Sequence, residues 1–167
     1  MRFGKTFFFI ILLICLFETA RLWFLAPSRM ASHFNVQGNP DGFMYKLDFF
    51  ISQGQVALTV IGLGLVMQLL VLITPVRWVN TPNREYWLLP EHQDLMVRNL
   101  SSFGFALFGT ILLVVQVGFE LSVYANLQVP VHFSVQIMLM FIAGFLIFSA
   151  FLLFQLTRSF LIPSDNS

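Results

Sequence analysis

Charge is what this sequence has least of. Only 10% of its 167 residues are Asp, Glu, Lys or Arg, while 57% are hydrophobic; a soluble domain carries about 25% charged residues. So little polar material cannot cover a water-facing surface, and lipid must cover it instead. There is a single cysteine, Cys15, which excludes an internal disulfide and, set in an apolar run, reads as a packing residue. No His-x-x-x-His, His-Glu-x-x-His or paired cysteines are available to ligate a metal. Gly-x-Ser-x-Gly and a glycine-rich phosphate loop are missing too. These gaps argue against an enzyme and imply no cofactor. A formal charge of +1, without a basic run, leaves nucleic acid out as a partner.

What is there is length of apolar chain. Four stretches can cross a bilayer, at about residues 7–25, 49–74, 101–124 and 133–157, each near the 20 residues a spanning helix needs. Arg2 and Lys5 ahead of the first could suggest a signal peptide. Glu18-Thr19-Ala20 puts an acid where a cleavage site wants a small residue, so an uncleaved first helix is expected. The long apolar runs lack the period-two alternation of a lipid-facing barrel. The fold class is therefore all-α: one polytopic membrane domain, a four-helix bundle with outer loops at 26–48 and 125–132 and an inner loop at 75–100.

Orientation follows from Lys and Arg. With both termini in the cytoplasm, Arg2, Lys5, Arg77, Arg84, Arg98 and Arg158 lie inside, and Arg21, Arg29 and Lys46 outside, as the positive-inside rule favours. Trp23, Trp78, Trp87, Tyr45, Tyr86 and Tyr124 fall near helix ends, where aromatic rings anchor to the interface. Gly62, Gly64, Gly104, Gly109, Ala143 and Gly144 offer close helix approach.

Two polar islands interrupt the grease. His33 to Gly42 crowds Asn35, Gly38, Asn39, Pro40 and Asp41 into turn-forming sequence on the outer side. In the inner loop, Asn80-Thr81-Pro82-Asn83 is also turn material, and Pro90-Glu91 suits the first turn of a helix. There Leu95, Met96 and Leu100 share one side, which predicts a short interfacial helix leading into the third span. Polar residues also enter the spans. Glu18 and Arg21 share a helix face, and with Glu120 they could pair near the interface or floor an outward cavity. A metal held by His33, Asp41 and His132 is conceivable, but no ligand spacing demands it.

The islands carry a family resemblance. Ser32-His33-Phe34-Asn35-Val36-Gln37-Gly38-Asn39-Pro40-Asp41-Gly42-Phe43, followed by Lys46, resembles the P-x-H-F-N-x-x-G-x-P-D-G-W-x-x-K signature of the bacterial membrane family called domain of unknown function 1648. Asn83-Arg84-Glu85-Tyr86-Trp87-Leu88-Leu89-Pro90-Glu91 is similar to the N-[KR]-x-Y-W-L-A-P-E-R pattern of its four-helix members. Ala31 stands where proline is usual, Phe43 for tryptophan, Leu89 for alanine and His92 for arginine. The resemblance implies a bacterial inner-membrane protein without catalytic residues. Distant SdpI-type relatives combine immunity to a secreted peptide toxin with sequestration of a repressor, which suggests a receptor or immunity role.

On this reading His33, Phe34, Asn35, Gly38, Asp41, Gly42 and Lys46 meet an extracytoplasmic ligand, such as a peptide. Asn83, Tyr86, Trp87, Pro90 and Glu91 report to the inside or dock a membrane or cytoplasmic protein partner. The alternatives are a small transporter, with Glu18, Arg21, Gln68, Gln116 and Glu120 lining a path, and an accessory subunit of a larger complex.

Overall fold

A computed structural model describes residues 3–161, so Arg2 lies outside the described residues. Helix α1 (Phe3–Leu25) leads into a hairpin of β1 (Arg29–Phe34) and β2 (Pro40–Tyr45). Helix α2 (Lys46–Ile73) follows, then a 3-10 turn at Val76–Trp78, a short α3 (Arg84–Leu88), α4 (Pro90–Asn126) and α5 (Val135–Ser159). The four long helices are each long and apolar enough to cross a membrane.

The long helices match the four expected stretches. The inner loop carries a short helix, α3, and the amphipathic stretch expected from Pro90 leads directly into the third span as the first turns of α4, which runs for 37 residues. Proline stands only at its first position, where the missing N–H costs nothing, and no later proline interrupts it. The outer loop at 26–48 is not turns alone but a two-stranded antiparallel hairpin. Its alternating exposure, with Asp41, Phe43 and Tyr45 out, is a period-two signal too short to stand out beside the helices.

Helix α4 is the centre. Against it α1 buries a stripe at helical spacing, Gly4, Phe8, Ile11, Cys15 and Leu22. Close approach there depends on glycine: a Cβ on Gly4 would overlap Ser102 O, and one on Gly109 would press on the Phe7 ring and the Phe8 backbone. Gly64 meets Phe108 and Gly104 meets Gln68 where α2 crosses α4. Gly62 and Gly144 face open space instead, and Ala143 is exposed, so these three do not serve helix approach as expected. In a bilayer, helices associate through such packing and interhelical hydrogen bonds, since lipid is as apolar as leucine.

The core forms three layers. Leu22, Ala26, Met30, Phe49, Phe119 and Val123 lie under the hairpin. Ile11, Cys15 and Leu112 fill the middle, and Trp87, Met96 and Phe160 close the other end. Helix α5 contributes no buried residue along its length.

The 28 residues of α2 separate the hairpin from the 3-10 turn by about 42 Å, at 1.5 Å per residue. The two polar islands therefore belong to opposite ends of the molecule. In a Cys15→Ala background, Gln37→Cys and Glu85→Cys should react with a membrane-impermeant maleimide from opposite faces of sealed vesicles. Labelling of both from one face would refute the topology.

Candidate functional site

The hairpin is built by its own polar residues. Asn35 Oδ1 accepts hydrogen bonds from the Gln37 and Asn39 backbone N–H groups, each at 3.0 Å, the side-chain turn that asparagine favours. Gly38 closes the turn with φ +82, a left-handed conformation in which a side chain is strained. It is buried because Phe133 packs over it: Phe133 N–H donates to Gly38 O at 2.8 Å, and a Cβ there would overlap Phe133 O. The Phe34 and Phe133 rings lie 5.2 Å apart. The hairpin tip is thus fastened to the segment that starts α5.

Irregular pairing aims the charged residues outward. Ala31 pairs with Phe43 and His33 with Gly42, leaving Ser32 as an extra residue, and a second shift follows before Phe34 pairs with Pro40. Bulges of this kind re-aim side chains. Gly42 lets His33 approach, since a Cβ on it would meet His33 Cβ at 3.2 Å. His33 Nδ1 and Asp41 Oδ1 are paired at 2.5 Å, with the side chains 73% and 43% exposed. Lys46 faces inward: its Nζ donates to Ala26 O at 3.1 Å and sits 4.5 Å from the centre of the Trp23 ring. His33, Phe34, Asn35 and Val36 form one wall of a groove of about 340 Å³, with Ser122 and Phe133 opposite. Of the seven residues expected to bind ligand, His33, Asp41 and Phe34 reach an accessible surface, while Asn35, Gly38, Gly42 and Lys46 shape and hold the hairpin.

The residue that the sequence reading missed is Asn126, at the end of α4. Its Oδ1 accepts from Ala31 N–H at 2.5 Å, and its Nδ2 donates to Ala31 O at 3.0 Å and to Ser122 O at 2.9 Å. A side-chain amide here stands in for a neighbouring strand. The available signal was an asparagine closing a long apolar run, which is common and easily passed over.

Glu18, Arg21 and Glu120 divide between two networks. Arg21 pairs with Glu18 and donates to Tyr124 Oη at 3.1 Å. Thr19 donates to Gln116 Oε1 at 3.3 Å, and Gln116 Nε2 donates to Glu120 Oε1 at 3.4 Å. Both join α1 to α4 near the hairpin. Gln68 belongs elsewhere, bonded to Ser101, which lies about 22 Å along α4 from Gln116 at helical rise. These contacts bind helices together. His132 neighbours Gly38, and no three metal-ligating side chains gather among the described residues.

At the opposite end, the second island clamps α5. Asn83, in the left-handed region at φ 56, donates from Nδ2 to Phe160 O at 3.1 Å, and Trp87 Nε1 donates to the same oxygen at 3.2 Å. Asn99 Nδ2 donates to Ser159 O at 3.3 Å. The last carbonyls of a helix lack internal partners, and these donors supply them. Trp87 was expected as an interfacial anchor; it is 1% exposed, because its ring fills the end layer while its N–H binds Phe160. Tyr86 stacks on His92 at 3.9 Å, and Pro90 and Glu91 open α4.

Both clamps can be broken selectively. Asn126→Leu leaves the Ala31 peptide without its partner, which should cost about 1–3 kcal/mol and appear as faster amide exchange in β1. Trp87→Phe keeps the ring but removes a donor, costing about 1 kcal/mol, and should speed trypsin cleavage after Arg158. Unchanged exchange or cleavage would show that the respective clamp is not holding.

Comparison with known proteins adds one finding. Residues 10–53 match the family model described as Domain of unknown function (DUF1648), while the inner island lies beyond the matched stretch. No curated protein and no solved structure matches the chain. From the middle of α1 through the hairpin to the first turns of α2, the chain is similar to the DUF1648 family.

Proposed function

We propose that this is a non-enzymatic binding and sensing protein of the bacterial cytoplasmic membrane. Its hairpin meets an extracytoplasmic ligand, a peptide on the closest reading of the surface, and the Asn83–Glu91 segment faces the cytoplasm. The excess of Lys and Arg on the α3 side supports that orientation.

One observation carries the reading. The two polar islands hold opposite ends of the same helix: Phe133, just before α5, bonds to Gly38 of the hairpin, and Phe160, just after it, bonds to Asn83 and Trp87. Between those ends no residue of α5 is fully buried, so it can shift with little loss of core packing. A ligand that engages the groove beside His33 and Phe34 contacts Phe133 as well, and displacement there is transmitted along α5. Immunity to an external toxic peptide and reporting of its presence are two outputs of this arrangement.

The test is complementation of a deletion strain across a panel of antimicrobial peptides and envelope stresses. His33→Ala and Asp41→Ala should fail to restore resistance while the protein accumulates normally. The Asn83→Ala, Trp87→Phe pair should give the same phenotype with the hairpin intact. Full complementation by all of these variants would overturn the proposal.

A further inference from the structure

The two edges of the hairpin are treated differently. Lys46 N–H donates to Ser28 O, and the register continues through Tyr45 with Arg29, Met44 with Met30 and Phe43 with Ala31. In an antiparallel ladder, pairs that exchange hydrogen bonds alternate with pairs that do not. Ser28–Lys46 and Met30–Met44 are therefore the bonded pairs. The N–H and C=O groups of Arg29, Ala31 and Phe43, and the N–H of Tyr45, point away from the ladder.

On β1 the outward groups of Ala31 are taken by Asn126. On β2 the Phe43 N–H and C=O and the Tyr45 N–H have no hydrogen-bond partner among the described residues. Phe43 is 50% and Tyr45 73% exposed, so nothing covers this edge. Beside it the Arg29 guanidinium sits 5.5 Å from the centre of the Phe43 ring. No carboxylate pairs with Arg29 among the described residues. A bare strand edge is a template for another strand, and an unpaired cation beside it selects the charge of what is added.

We propose that the outer edge of β2 receives an extended peptide segment as a third strand, with an acidic side chain of that segment meeting Arg29. Phe43 N–H and C=O supply the central main-chain pair, Tyr45 N–H extends it, and the exposed Phe43 and Tyr45 rings read the alternate side chains. The bulged end at Asp41 limits the added strand to a few residues. Asn126 occupies the Ala31 groups at the middle of the β1 edge, so the segment adds at β2. This edge gives the peptide of the sensing reading a second contact, beyond the groove beside Phe133, and the proposal rests on that reading.

The experiment uses the full chain in phosphatidylcholine nanodiscs and a displayed library of random heptapeptides, with empty nanodiscs for counter-selection. Enriched peptides should alternate apolar and polar residues and carry Asp or Glu. N-methylation of the paired peptide amides should weaken binding about tenfold, as lost hydrogen bonds predict. Phe43→Pro removes an outward N–H at a position where an edge strand tolerates proline, and should weaken binding about fivefold. Arg29→Gln should remove the acidic preference.

No enrichment over empty discs, or equal binding of N-methylated peptides, would overturn the proposal without depending on how any variant folds. A dimer that Phe43→Pro turns into a monomer would assign the edge to a second copy and equally overturn it. The two readings fail separately. Peptide pairing in discs alongside full complementation by the His33→Ala and Asp41→Ala strains would leave the edge standing and remove the sensing role. Failed complementation without peptide pairing would remove the edge alone.

Discussion

The bond pair between the Asn126 amide and the Ala31 peptide decides whether this protein has a shaped hairpin at this end or only a loop. A two-stranded hairpin is marginally stable in water. Here β1 is held from the other side by a side chain that presents both an acceptor and a donor to one backbone unit. The site is buried, so hydrogen bonds there are not exchanged with water and a lost partner is costly. The hairpin consequently inherits the rigidity of α4. From this follow the fixed position of the His33–Asp41 pair, the groove beside Phe133, and the difference between the two strand edges.

The fastening also explains why the polar residues of the first island do such different jobs. A surface that must hold its shape above lipid needs its turns closed from within. Asn35, Gly38 and Gly42 do that through an amide turn, a left-handed backbone and a close cross-strand approach. Lys46, whose charge would suit ligand contact, instead binds the Ala26 carbonyl and the Trp23 ring. What remains free for recognition is a small set: His33, Asp41, Phe34 and the β2 edge.

The helices were legible because their signal is additive. Twenty apolar residues in a row state a span whatever their neighbours do, and Pro90 marks the start of α4 in the sequence as in the structure. The charge pair of Glu18 and Arg21 was legible for a similar local reason, their three-residue spacing. The hairpin was not, because Gly38 lies between its six-residue strands, β2 itself carries Pro40 and Gly42, and its bulges break the alternation that would announce it. Asn126 and Trp87 were misplaced or missed because their roles are non-local. Each is decided by a backbone group 73 or 95 positions away, which no window along the sequence contains.

The placement of α5 follows from the solvent. In water a helix without a buried residue would not stay beside its neighbours; in lipid it loses nothing by facing the bilayer, because no hydrophobic force drives helices together there. Its position is then set chiefly by its ends: one backbone bond and an aromatic contact at Phe133, and three side-chain donors at Ser159 and Phe160. Each net hydrogen bond is worth about 0.5–1.5 kcal/mol. Gain or loss of the one such bond at the hairpin, together with its aromatic contact of about 0.5–1.5 kcal/mol, lies within the 1–3 kcal/mol typical of coupling between sites. It falls short of the roughly 5.5 kcal/mol that would carry a two-state equilibrium from 1:99 to 99:1. A signal carried through α5 on the proposed reading is therefore graded rather than all-or-none, and its amplitude is limited by how few bonds tie the helix to each loop.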